Sequence, residues 1–270
     1  MPTLKDYGGG SGCGGMFYHD TRWAKPYNHA VYTCDWGRSA VFLHNPPANG
    51  PTFDAHQDTF LSLSRPTDID VDGNGRMLVA SWHGGKFAYS GPNIGYVAQL
   101  VPENLKAEPF PDVNKANDEE LYALLTGPSQ VQNLHAQREI LRRGPDAQRT
   151  AKLIELAKDK GTPLAGRVAV IFTLKQLDGT KSQGALLKLA KDQSVTEFTL
   201  RALTDRKGEL KGLSAQSFVA ALKTKNPRIR SQALISLGRL GDKSAASAIL
   251  PHADTPHRSE QPAHTQPNPL

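Results

Sequence analysis

Two patterns of apolar residues divide this chain, and they change over near residue 110. Before that point apolar positions come in short runs between Gly, Asn, Asp and Pro. Residues 28–33, with Ala30-Val31-Tyr32-Thr33 at their centre, predict one strand, and 39–44 (SAVFLH) predict a second after the Gly37-Arg38 turn. Residues 68–72 alternate as Asp-Ile-Asp-Val-Asp, which puts Ile69 and Val71 on one face. Gly73-Asn74-Gly75 then supplies the positive φ angles of a tight hairpin, and 76–82 (RMLVASW) form its return strand. Residues 95–101 (GYVAQLV) predict one more strand.

Beyond residue 117 the period becomes helical. Residues 130–143 are apolar at Val131, Leu134, Ile140 and Leu141 and stop at Gly144-Pro145. Residues 147–158 follow. Pro163 opens the next helix, which carries Val168, Val170, Ile171, Leu174 and Leu177. Residues 183–191, 195–204, 214–223, 227–237 and 243–250 complete eight predicted helices, joined by loops short enough for antiparallel pairs.

Both halves repeat. The strands that run into Trp36 and Trp82 share the order strand, small residue, Trp, Gly, strand, and the two Trp lie 46 residues apart. That is within the length of a propeller blade, about 40–50 residues. In the helical half, 138–144, 167–179, 198–203 and 229–241 correspond. The clearest unit is 227–242 (PRIRSQALISLGRLGD), where Pro starts a helix, Arg faces out and Gly caps the end; it resembles a HEAT repeat. The expected fold is therefore mixed, β then α. A partial β-propeller of about two blades (1–100) and a linker (101–116) lead to an α-solenoid of HEAT-like helical repeats (117–250), and a disordered tail ends the chain (251–270). A small sandwich is the rival for the first part and a four-helix bundle for the second. Two blades cannot close a ring.

Charge sharpens the division. Residues 117–250 hold 22 Lys/Arg against 13 Asp/Glu, whereas 1–116 hold 9 against 11. A basic helical half suits an acidic protein, a nucleic acid or an anionic surface, or is simply a solvated exterior. The basic positions Arg138, Arg142, Arg143 and Arg149 lack interleaved aromatics, which disfavours nucleic acid. No run of 18 apolar residues occurs, so no transmembrane helix is expected, and the start MPTLKDYGGGSG lacks the apolar core of a secretory signal. Cys13 and Cys34 form neither CxxC nor CxxCH; they are either two buried free thiols or one disulfide.

The order of a Gly-rich strand, Tyr18–Asp20, YTCDWGRSAVFLH, FLSLSRPTDIDVDGNGRMLVASWHGG, GYVAQLVP and helical repeats resembles the PVC-type (planctomycete and Verrucomicrobia) haem-binding, membrane-bound-dehydrogenase-like proteins. The resemblance spans residues 8–250 and is most specific at 65–71 with the following hairpin. It implies an exported, periplasmic protein whose propeller oxidises a sugar or polyol and passes electrons to a haem c domain. Here the CxxCH is absent and only the last blades are present. The chain then reads as a fragment, inactive alone and without a cofactor of its own. The alternative is a non-catalytic scaffold holding a protein partner on its HEAT surface.

The candidate chemistry is sparse. His83 follows Trp82 at a strand end, and Asp35 and Arg38 occupy the equivalent loop one blade earlier. Together around a mouth they suit proton abstraction from a sugar alcohol; the competing reading has Asp35 and Arg38 bracing the blade. Asp68, Asp70, Asp72 and Asn74 imitate the start of an EF-hand loop, but the twelfth position is Ser81 rather than Glu. No metal is therefore expected there. His19, His29, His44 and His56 are too scattered for a zinc site. Trp36 and Trp82 suit packing between blades better than ligand stacking.

Overall fold

The computed structural model describes residues 4, 10–83, 92–106 and 108–252. The tail expected at 251–270 lies outside them from residue 253 onward.

The first part is antiparallel throughout. β1 (Gly12–His19), β2 (His29–Asp35), β3 (Ala40–His44) and β6 (Asp58–Ser62) form one sheet in the order β1-β2-β3-β6. A small hairpin of β4 (Ala48–Asn49) and β5 (Thr52–Phe53) is inserted between β3 and β6. β7 (Asp68–Val71), β8 (Met77–Trp82) and β9 (Gly95–Leu100) form a second sheet in chain order. The strands expected from alternation are all present, and β1 and β6 join them.

β1 is the strand that brings the two sheets together. Its glycines leave out the side chains that would hold β7 off. A Cβ on Gly14 would stand 2.6 Å from the Cα of Asp68, and one on Gly15 would stand 2.8 Å from the Tyr32 carbonyl oxygen. Across this close approach the Gly14 N–H donates to the Thr67 carbonyl at 2.9 Å. Tyr18, Tyr32, Cys34, Val41 and Leu43 of the first sheet then bury against Ile69, Met77 and Val79 of the second. Burying such side chains is worth about 1.5–3 kcal/mol each.

The cysteines straddle this core. Cys34 is buried, and burial pushes its thiol up to about 12; Cys13 is exposed, and its Sγ donates to the Ser11 carbonyl at 3.1 Å. Both are free, so the expectation of two buried thiols holds only for Cys34, because Cys13 sits in the β1 bulge between Gly12 and Gly15.

The helices are α1 (Asp118–Thr126), α2 (Gln130–Arg143), α3 (Ala147–Lys158), α4 (Leu164–Asp178), α5 (Gln183–Leu189), α6 (Thr196–Thr204), α7 (Ala215–Val219), α8 (Pro227–Leu240) and α9 (Ala246–Ile249). α1 is additional to the expected set. Asn117 and Glu120 close a capping box at its start, satisfying backbone donors that no turn precedes. Successive helices pair as α1 with α2, α3 with α4, α5 with α6 and α7 with α8. The even members also touch in series, α2 to α4 to α6 to α8. The repeat positions Arg138, Arg167, Phe198 and Arg230 fall on those four helices. One core runs from Leu121 through Ile140, Ile171, Leu200 and Phe218 to Leu237.

The connector is packed rather than loose. Phe110 fills the space that a side chain on Gly73 would need, and its ring meets His135 of α2 edge-on at 4.9 Å. Beside it, Asp20 is fully buried and paired with Arg22 at 2.5 Å. Arg22 reaches Ser129 Oγ at 3.0 Å and the Gly73 carbonyl at 3.3 Å. Gln130 accepts from the His19 N–H at 2.8 Å and donates to the Phe17 carbonyl at 3.2 Å. Strand β1, the β7–β8 hairpin and the start of α2 thus share one polar joint.

Candidate functional site

Of the expected mouth residues, Asp35 and Arg38 meet in the β2–β3 turn, and His83 lies just after β8. Asp35, at the end of β2, is fully buried, and its Oδ1 accepts the backbone N–H groups of Ser11 and Arg38, each at 2.9 Å. It shapes the β2–β3 turn and braces it against the chain before β1. His83 is exposed at the end of β8, where its ring stacks on Tyr96 at 4.3 Å and 22°. Asp35 thus serves as a turn brace, and His83 carries a stacked ring.

The two tryptophans do meet. Trp36 and Trp82 pack with ring centroids 5.9 Å apart, and the Arg65 guanidinium lies 4.3 Å over the Trp36 ring. Arg65 also donates to the carbonyls of Trp36 at 2.9 Å and Gly37 at 3.1 Å. This bracket joins the turn after β2 to the entry of β7.

The acidic run does not converge. Asp68 and Asp70 are exposed and each accept the N–H of the next residue, from Ile69 and Val71. Asp72 belongs to the hairpin turn. Burial alone would raise its pKa, but the N–H groups of Arg76 and Asn74 and the Arg76 side chain hold it below the usual carboxylate range. Asn74 accepts from the Glu108 N–H at 3.0 Å. Among the described residues no three His, Cys, Asp or Glu side chains are placed to hold a metal.

Most of the basic side chains of the helices are exposed to solvent, but several are held in ion pairs, and Arg167 and Lys175 are buried. Glu139 is buried between Arg142 and Arg143, and those hydrogen bonds draw its pKa down to about 2. Arg143 and Arg149 both reach Asp118, at 2.9 and 3.0 Å, tying α1 to α2 and α3. Arg167 is buried in α4 and donates to the Ala157 carbonyl at 2.9 Å, Ser194 Oγ at 2.8 Å and Asp192 Oδ2 at 2.7 Å. Lys175 is buried against Glu209 at 2.7 Å. A side chain with such partners is not available to a ligand.

An open trough lies between α5, α6, α7 and α8. Its inner part, about 430 Å³, is lined by Leu187, Ala190, Leu200, Ala220, Ala221 and Ile229, with Lys191, Gln193, Thr196, Ser217 and Thr224 around them. It continues into a shallower cavity of about 910 Å³, which shares Gln193, Ala220 and Thr224 and adds Lys223, Lys225, Asn226, Pro227, Arg228 and Gly50. Gly50 is the turn between β4 and β5, so the sheet part forms one wall. Arg228 is paired with Glu197 at 2.7 Å. Lys191, Lys223 and Lys225 have no ion-pair partner among the described residues. The trough therefore offers an apolar floor and a cationic rim. Its apolar lining combines Leu187, Leu200 and Ile229 with alanines from separate helical segments, and no linear motif marks it.

No family model matches the chain, and no curated protein matches it.

Proposed function

We propose that this chain is a non-catalytic binding module that seats an acidic polypeptide segment with apolar side chains in the α5–α8 trough. The observation that carries the reading is the trough itself: aliphatic floor, lysine rim, and no nucleophile or general base aligned within it. Helix-in-groove and extended-peptide recognition both rest on such apolar pockets, with the rim setting orientation and encounter rate. In this reading the paired helices are HEAT-like repeats, supported by the serial contact of α2, α4, α6 and α8. Selection from a random peptide library on the purified chain tests the proposal. Enriched sequences are expected to combine Asp/Glu with Leu, Ile or Phe. Enrichment of basic sequences, or of none, contradicts it.

The resemblance to PVC-type dehydrogenase-like proteins carries a second reading. A four-stranded and a three-stranded meander packed face to face through β1 and β7 support two neighbouring propeller blades. Sugar or polyol oxidation and electron transfer to haem c then belong to a longer, exported protein with further blades, and this chain contributes the binding module. Purified alone, it is expected to turn over no sugar with an artificial electron acceptor.

A further inference from the structure

We infer that His19 and His29 form a two-histidine site for a late first-row divalent metal ion, with Cu²⁺ the best fit. The two residues are direct partners in the β1–β2 register, so their side chains leave the same face of the sheet. Their Nδ1 atoms stand 2.9 Å apart, and the rings are nearly perpendicular, at 86°. Two imidazole nitrogens on adjacent corners of a square-planar or octahedral ion, each about 2.0 Å from it, lie about 2.8 Å apart. On a tetrahedral ion they lie about 3.3 Å apart. A small adjustment of either ring brings both nitrogens onto one ion, and the general affinity order of nitrogen donors for divalent first-row ions places copper first.

The surroundings hold the pair ready. Without metal, 2.9 Å accommodates a single N–H···N bond, in which one ring donates and the other accepts. On metal binding the donor ring exchanges its Nδ1 proton through solvent for one on Nε2, so that both neutral rings ligate through Nδ1 and carry their single proton on Nε2. Phe17 meets His29 edge-on at 5.0 Å, and Gln130 anchors the β1 backbone at His19. His29 is exposed, so the remaining coordination positions open to water or to a donor from another molecule.

Cu²⁺ titration of the full chain at pH 7.5, read by electron paramagnetic resonance, tests the site against His19→Gln and His29→Gln. Each variant is expected to lose one equivalent of bound Cu²⁺ whose spectrum is tetragonal with two coordinated imidazole nitrogens. His83→Gln, which alters an exposed histidine outside the pair, retains it. In the wild-type chain, substoichiometric Cu²⁺ is expected to broaden the ring resonances of His19 and His29 ahead of those of the other histidines, a readout that needs no variant to fold. Equal copper content and identical spectra in wild type and both variants overturn the proposal. Broadening that begins at other histidines, or tighter Zn²⁺ than Cu²⁺ binding at the pair, overturns it equally.

Discussion

At the scale of single residues, buried polar groups carry specific assignments that composition conceals. His44 is fully buried, its Nδ1 bonded to the His56 carbonyl and its Nε2 to Thr33 Oγ1, each at 2.9 Å. Burial lowers its pKa and that of His29. A histidine whose folded value lies below its unfolded value takes a proton more readily when unfolded. Stability from such groups is complete above the unfolded pKa, about 6.5, and is lost as pH falls below it. The urea midpoint, measured with a chelator present, is therefore expected to be level from pH 8 to 7 and to fall as the pH drops below about 6.5. His44→Gln flattens that step while leaving the carboxylate-driven loss near pH 4 and below. An unchanged step in His44→Gln contradicts the assignment.

At the scale of elements, what was legible depended on whether the determining contacts were local. Helices α2 and α3 keep close to their expected bounds because the signals are chemical: Gly144 with Pro145 stops α2 and Asp146 caps the start of α3, whereas α8 runs three residues past its expected end to Gly241 at φ 66°. α1 escaped periodicity because only Leu121, Tyr122 and Leu125 are buried on it, just after a proline-rich connector. The glycines of β1 weaken any strand pattern, yet they are what let β7 approach. Gly14→Val is expected to cost about 2–3 kcal/mol in urea unfolding, since the added atoms meet Asp68 backbone. Gly12→Val, in the same strand with open space around it, is expected to cost under about 1 kcal/mol. Equal costs contradict the close-approach account. The surroundings of the mouth residues were not legible, for the complementary reason. Asp35, Arg38 and His83 have suitable chemistry and matching loop positions, but side-chain orientation is set by tertiary neighbours such as Ser11 and Tyr96.

At the scale of the whole molecule, the joint of Asp20, Arg22, Ser129 and Gln130 makes the sheets and helices one unit. All three tryptophans, Trp23, Trp36 and Trp82, lie in the sheet part, whereas the helices dominate far-ultraviolet circular dichroism. The two probes are expected to report coincident unfolding in the wild type. Asp20→Ala leaves Arg22 without its buried partner, at a cost of about 3 kcal/mol, and separates the transitions with tryptophan leading. Coincident transitions in Asp20→Ala contradict that role. The joint also fixes where the β4–β5 turn meets the helical trough, so the binding surface depends on both parts. The most direct test of the account is the affinity of a library-selected acidic peptide for wild type, Ala220→Glu and Lys223→Glu/Lys225→Glu. Ala220 is exposed and lines both cavities, so its replacement puts a like charge in the path of the peptide without disturbing the core. The account predicts at least about tenfold weaker binding to each variant, with a steeper salt dependence in wild type than in the lysine variant. Unchanged affinity in all three proteins places the partner elsewhere and contradicts it.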